Sequence, residues 1–202
     1  MPLKTQREVT EADLGRLNIG RRYYEASLDG MFADAQHRRV IHRYCRAIHE
    51  VRREGQGLLL WGPNGRGKTF SIAVILKWAV SWGYSGYCIL AQDIVPTIVE
   101  SRPFEETALG SISIETRMQT VDFLAIDDLG KEVEGRGFST NVVDGLLRRR
   151  SRERLPTIVS TNLSLSEGSF LARYGQSAYD IAVESLYPFN VKGRGQSERI
   201  GI

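Results

Sequence analysis

The sequence predicts an α/β domain built on a mostly parallel sheet with helices on both faces. Two observations carry this. Four short apolar runs, at 58–61, 87–90, 123–126 and 157–160, have the length and composition of buried parallel strands. Segments of helical period separate them. At 202 residues the chain suits one such domain with a full core and at most a small appendage.

Taken in order, residues 1–32 are polar and interrupted by glycine, and read as an N-terminal linker lying on the core formed by 33–202. A helix is expected from about residue 34 to 54. There Val40, Ile41, Tyr44, Ala47, Ile48 and Val51 recur at helical spacing, and Gly55 and Gly57 stop it. After the first strand and a glycine-rich loop, a helix from Lys68 to about Trp82 is apolar nearly all round, which places it inside the domain. Trp78 and Trp82 belong to its core packing, and Gly83 ends it. The second strand leads to Asp93, an expected cap for a helix over 94–101, and then to an exposed loop over 102–113. A loop over 130–137 with charges of both signs follows the third strand. Val142, Val143, Leu146 and Leu147 then mark an amphipathic helix. The fourth strand is entered through Pro156. A helical segment at about 165–174 and a closing strand near 189–191 complete the order.

Composition narrows the class. The formal charge is +3 and the pI near 8.9, which is mildly basic. Arginines cluster at Arg21-Arg22 and at Arg148-Arg149-Arg150 with Arg152 and Arg154, as phosphate contacts or as solvated faces. Cys45 and Cys88 are too few for a disulfide framework and read as reduced packing thiols. His37, His42 and His49 lack metal-ligand spacing. No apolar stretch is long enough to span a bilayer, and the polar N-terminus has no secretory core. These features predict a cytoplasmic protein without a membrane partner.

Three motifs carry chemistry. Gly62-Pro63-Asn64-Gly65-Arg66-Gly67-Lys68-Thr69 fits G-x-x-x-x-G-K-[ST] completely, between a buried strand and an apolar helix that opens with Phe70 on its first turn. Glycines let backbone N–H groups wrap a phosphate chain, and the helix adds its positive end. Lys68 is expected on the β- and γ-phosphates of ATP, and Thr69 on Mg²⁺. The second motif is Phe123-Leu124-Ala125-Ile126-Asp127-Asp128, two carboxylates at a strand's C-terminal end about 60 residues later. Asp127 is expected to hold Mg²⁺, and Asp128 to act as general base on the attacking water. In the third, Ile158-Val159-Ser160-Thr161-Asn162, the strand-tip residue Asn162 is placed to orient water or touch the γ-phosphate.

With these motifs in place, the chain resembles the AAA+ ATPases of the DnaC and IstB type, the helicase loaders and transposition helper ATPases. The resemblance covers roughly residues 17 to 193. It rests on Ile19-Gly20-Arg21-Arg22-Tyr23, the loop from Gly62 to Thr69, Ile126-Asp127-Asp128-Leu129-Gly130-Lys131-Glu132, the stretch 156–163 and Arg173-Tyr174-Gly175. It implies a P-loop three-layer sandwich with little or no C-terminal lid domain. It also implies an adenine pocket near Ile19 to Tyr23 that includes Arg22 and Tyr23, a sensor role for Asn162, and assembly of like subunits on DNA.

Three departures qualify it. Loaders of the family carry a helicase-binding domain before the core, which here starts almost at once. The Ser-Arg-Leu that normally follows Arg173-Tyr174-Gly175 and supplies an arginine finger is replaced by Ser177-Ala178-Tyr179, which leaves Arg173, Arg194 and Arg199 as substitutes. The base position holds Asp128 in place of the commoner glutamate. Both site changes point to slow hydrolysis.

The favoured expectation is a helicase loader acting on single-stranded DNA beside a replicative helicase. The alternative is a transposition helper that coats duplex DNA beside a transposase. A small-molecule kinase shares the phosphate loop but needs an acceptor pocket and usually an arginine-bearing lid. A GTPase lacks support because the chain has no Asn-Lys-x-Asp guanine motif.

Overall fold

The computed structural model describes residues 5–31, 37–100, 113–131 and 138–191. Five parallel strands form one sheet: β1 (Gly57–Trp61), β2 (Gly86–Leu90), β3 (Phe123–Leu129), β4 (Thr157–Thr161) and β5 (Leu186–Asn190). Their spatial order is β2-β3-β4-β1-β5. The expected mostly parallel sheet is therefore parallel throughout. Pro188, which cannot donate to a ladder, lies in the edge strand β5, where that omission is tolerated.

Both faces of the sheet are buried, and alternation along each strand divides the core in two. Leu58, Leu60, Phe123 and Ala125 face one layer, with helices α1 (Glu11–Leu17), α2 (Arg38–Arg46), α3 (Ile48–Glu54) and α4 (Lys68–Ser81). Leu59, Leu124, Ile126 and Val159 face the other, with α5 (Ala91–Glu100), α6 (Ile114–Thr120), α7 (Phe138–Arg152) and α8 (Ser169–Glu184). Among the described residues no helix is long and apolar enough to cross a membrane.

Several elements differ from the sequence expectation. The N-terminal segment contains α1, which starts with a capping box: the Thr10 hydroxyl accepts from Asp13 N, and the Asp13 carboxylate accepts from Thr10 N. Leu17, Ile19, Ala26 and Met31 from this segment are buried in the core. The helix expected over 34–54 is two helices. Ala47, at φ −88° and ψ 16°, divides α2 from α3, and residues 34–36 lie outside the described residues.

Asp93 does not cap α5. The helix starts directly at Ala91 after β2, and Asp93 sits in its first turn, where a negative charge complements the helix dipole. A further helix, α6, begins at Ser113, whose hydroxyl accepts from Thr116 N at 3.1 Å. The expected loops at 102–112 and 132–137 lie outside the described residues. α8 starts later and runs ten residues further than the expected segment, because Ala178 and Ala182 continue its buried stripe past a kink at Gly175.

The arginine cluster on α7 is not uniform. Arg150 is fully buried, neither a solvated side chain nor a phosphate contact. Its guanidinium donates from Nε to Thr157 Oγ1 at 3.0 Å, from Nη1 to Met118 O at 2.9 Å, and from Nη2 to Val121 O and Pro156 O at 3.0 and 2.9 Å. Burial pushes its pKa down, and neighbouring Arg52 adds to the fall. The four bonds replace the water it gave up and tie α7 to the end of α6 and the start of β4.

Arg150→Ala leaves three carbonyls and a hydroxyl without this donor and opens a cavity. We expect a loss of at least about 3 kcal/mol in urea unfolding, against less than about 0.5 kcal/mol for Arg149→Ala on the exposed side of the same helix.

Candidate nucleotide site

The site forms at the C-terminal ends of β1, β3 and β4. The chain leaves β1 through Gly62 at φ 137°, where a Cβ would stand 2.7 Å from Val191 O, so only glycine fits. Gly67, at φ 80°, caps α4 without any side chain over the helix end. The first turn of α4 has no side-chain cap bond and no acid, so its N–H groups and dipole are left to serve an anion.

Lys68 is almost wholly buried. Its Nζ donates to Gly62 O and Pro63 O, each at 2.7 Å, and to Asn162 Oδ1 at 2.9 Å. All three ammonium protons are thus satisfied. Burial lowers the Lys68 pKa to about 8 against the opposing pull of Asp128 and Asp127. The bond to Asn162 joins residues 94 positions apart and brings the third motif onto the first.

Asp127 is buried beside them. Thr69 Oγ1 donates to its Oδ1 at 3.3 Å, and the Ser160 hydroxyl donates to the same oxygen. Burial raises the Asp127 pKa, hydrogen bonds from Ser160 and Thr69 oppose the rise, and the charge of Asp128 adds to it. A hydroxyl and a carboxylate at this separation are hard oxygen donors. They fit Mg²⁺, which takes few protein ligands and completes its shell with water and phosphate.

Asp128 has φ 58°, at an irregularity in the β3–β4 pairing between Ile126 and Leu129. Its amide donates to Ser160 Oγ at 2.9 Å, and its carboxylate accepts from Lys131 Nζ at 2.7 Å.

A cleft of about 690 Å³, within the range that holds small ligands, runs over these groups. The loop from Asn64 to Phe70 lines it, with Asp127 and Asp128, and Ile19, Arg22 and Tyr23 reach it from the N-terminal segment. Arg22 lies 5.0 Å from the Tyr23 ring centroid. Gly62, Pro63 and Asn162 act on the cleft through Lys68. Arg173 is not part of this wall; it lies half-buried on α8, 5.8 Å from the Tyr174 ring centroid. Arg194, Arg199 and Glu132 lie outside the described residues.

Sequence reasoning missed three residues here. Ser160 connects both aspartates, and its signal was a hydroxyl inside an apolar strand. Lys131 holds the Asp128 carboxylate. His37 lines the cleft almost fully buried, and burial and then the charge of Lys68 lower its pKa. Nothing in the local pattern separates His37 from a surface histidine.

No protein-family model matches the chain. The replicative helicase loader DnaI of Bacillus subtilis (strain 168) is 28% identical over 123 residues, covering 61% of this chain and 38% of that protein. The match thus spans little more than a third of the curated relative. Among solved structures, the DnaC helicase loader superposes with a TM-score of 0.73 at 22% identity, over 86% of this chain and 100% of that one. The replication initiator DnaA bound to AMPPCP and single-stranded DNA gives 0.66 at 14% identity, over 89% and 53%. The fold is that of the AAA+ P-loop core, and the resemblance to DnaC-type AAA+ ATPases is borne out.

The lowered Lys68 pKa has a measurable sign. The unfolded chain binds more protons than the folded one between about pH 8 and the ordinary lysine value, so this group's contribution to stability rises with pH there. A bound polyphosphate favours charged Lys68. Calorimetry of ATP binding in buffers of different ionisation enthalpy should show proton uptake above pH 8, absent in Lys68→Ala, whose affinity falls at least about thirtyfold.

Proposed function

We propose that this chain is an ATP-binding, slowly hydrolysing AAA+ ATPase that acts on DNA in the cytoplasm, as a replicative helicase loader. The observation that carries the nucleotide reading is the Lys68 bridge. One buried ammonium links the carbonyls of the phosphate loop to Asn162, within a cleft that also holds Thr69, Asp127 and Asp128.

In this reading the N–H groups from Asn64 to Thr69 and the end of α4 wrap the phosphates. Lys68 exchanges its carbonyl partners for β- and γ-phosphate oxygens. Thr69 and Asp127 hold Mg²⁺, which neutralises charge on the phosphates when bound. Ser160 fixes the Asp127 carboxylate, and Asn162, released from Lys68, senses the γ-phosphate. Asp128 takes the proton of the attacking water as its oxygen bonds to the γ-phosphorus and the bond from that phosphorus to the β–γ bridging oxygen breaks, releasing ADP and inorganic phosphate. Ile19, Arg22, Tyr23 and Phe70 form the base side of the cleft.

Slow turnover is supported by the short Asp128 side chain, already paired with Lys131, and by Ser177-Ala178-Tyr179 standing where the family that the chain resembles carries its arginine-bearing Ser-Arg-Leu. Arg173 is the described arginine proposed to reach a neighbouring subunit. The DNA and helicase partners rest on the match to DnaI and the fold shared with DnaC. A transposition helper on duplex DNA uses the same site residues, and the DnaI match favours the loader.

Light scattering with a slowly hydrolysed ATP analogue tests this. The expected outcome is growth from monomer to a small oligomer on single-stranded DNA, lost in Lys68→Ala. Long filaments on duplex would establish the transposition helper. A monomer under every condition would remove both and return the kinase reading.

A further inference from the structure

α2 carries the strongest charge conflict among the described helices. Its nine residues include Arg38, Arg39, Arg43 and Arg46 and no acid. Ile41, Tyr44 and Cys45 are buried, while Arg39, His42, Arg43 and Arg46 are exposed, one stripe at i, i+3, i+4 and i+7. Two features work against the helix. Arg38 and Arg39 occupy the first turn, at the positive end of the dipole, with no side-chain cap. Arg39 and Arg43 are like charges at i,i+4.

Several other surface arginines are neutralised locally, while exposed Arg16, Arg21, Arg22, Arg149 and Arg154 form no ion pair among the described residues but do not line up along one helix face with no acid on it. Arg7 pairs with Asp13, Arg52 with Asp122, Arg148 with Asp144 and Arg152 with Glu153. The acids that follow on α3, Glu50 and Glu54, both pair with Arg53. Among the described residues, Arg39, Arg43 and Arg46 have no ion-pair partner. A face that breaks local electrostatic rules without internal compensation is where an external partner is expected.

We propose that the exposed face of α2 binds the phosphodiester backbone of a single DNA strand. The stripe from Arg39 to Arg46 spans about 10.5 Å, comparable to two or three consecutive phosphates of one strand. A polyanion there removes both conflicts at once. Beyond the break at Ala47, exposed His49 on α3 lies 4.8 Å from the Trp82 ring centroid in a T-shaped arrangement, and its Nδ1 lies 2.8 Å from Tyr84 Oη. In this proposal exposed His49, held by Trp82 and Tyr84, offers its ring to stack an unpaired base, which a duplex does not present. The proposal rests on the reading that the chain acts on DNA, and places the strand on a surface separate from the nucleotide cleft.

The test uses the triple variant Arg39→Ala, Arg43→Ala, Arg46→Ala and, separately, His49→Ala. The probes are a fluorescent oligothymidylate and a duplex of equal length, titrated across salt concentrations in the presence of the ATP analogue. In the triple variant, single-strand affinity should fall at least about tenfold and the salt slope should drop by about 2, three phosphate contacts at roughly 0.7 each. ATP affinity should hold at the parent value and the melting temperature should hold or rise, because the substitutions remove the helix's own charge conflict. The triple Arg→Lys variant should retain binding, which separates charge from packing. His49→Ala should weaken the single strand and leave the duplex unchanged.

Equal affinity and slope in parent and triple variant would overturn the proposal and leave the DNA-acting reading standing. A parent chain that binds no DNA would overturn both. A change in particle mass without a change in DNA affinity would also overturn it, and would assign α2 to an acidic protein surface.

Discussion

Parallel pairing of β4 between β1 and β3 is the constraint on which the rest of the molecule depends. It aligns Leu60 with Ser160 and Trp61 with Thr161 on one side, and Ile126 with Val159 on the other. Three C-terminal strand ends therefore emerge side by side. The phosphate loop, the aspartate pair and Asn162 are held by the ladder itself. Ser160 then reaches Asp127 and Asp128 from the adjacent strand, and Thr161 Oγ1 donates to Leu129 O at 2.7 Å to pin the end of β3. A slip of one residue in β4 would turn Ser160 into the opposite layer and separate the aspartates from their hydroxyl.

The site is assembled at an electrostatic cost. Lys68 and Asp127 are each buried, and burial moves each toward its neutral form. Their hydrogen bonds keep them oriented: three for the lysine, and two hydroxyls on one oxygen of the aspartate. A nucleotide with its metal, as proposed for this cleft, would supply the opposite charge to both. The domain thus holds in tension two groups whose charged forms a ligand would favour, which is the common price of a preorganised site.

Arginine is used here in two physically opposed ways. Arg150 is drawn wholly inside, and its planar fork satisfies the chain ends around α6, β3 and β4. On α2, Arg39, Arg43 and Arg46 are left in water along one face, with Arg39 at the unfavourable end of the helix dipole. Both groups look alike in composition. Only the first is held by carbonyl oxygens within bonding distance, so charge counting along the chain could not separate them.

Much of the architecture was legible in the sequence because the strands and α4 are buried on both sides and so read as apolar runs between glycines. The phosphate loop and Asp127 were legible for the same reason: their chemistry demands certain residue types at short spacing. α1 and α6 were missed although Thr10 and Ser113 carried cap signals, since each is a single short turn pair with little apolar period. Ser160, Lys131 and His37 were missed because their roles come from neighbours distant in the chain. By itself the sequence determined the strand order along the chain and the positions of the glycine-rich loop and the acid pair at strand ends, since burial acts on consecutive residues and the loop's residue types recur at short spacing. The tertiary structure alone decided that Asn162 meets Lys68, that Ser160 joins the two aspartates, and which arginines are inside. Those outcomes depend on strand register and helix docking, which bring together residues that no local spacing connects.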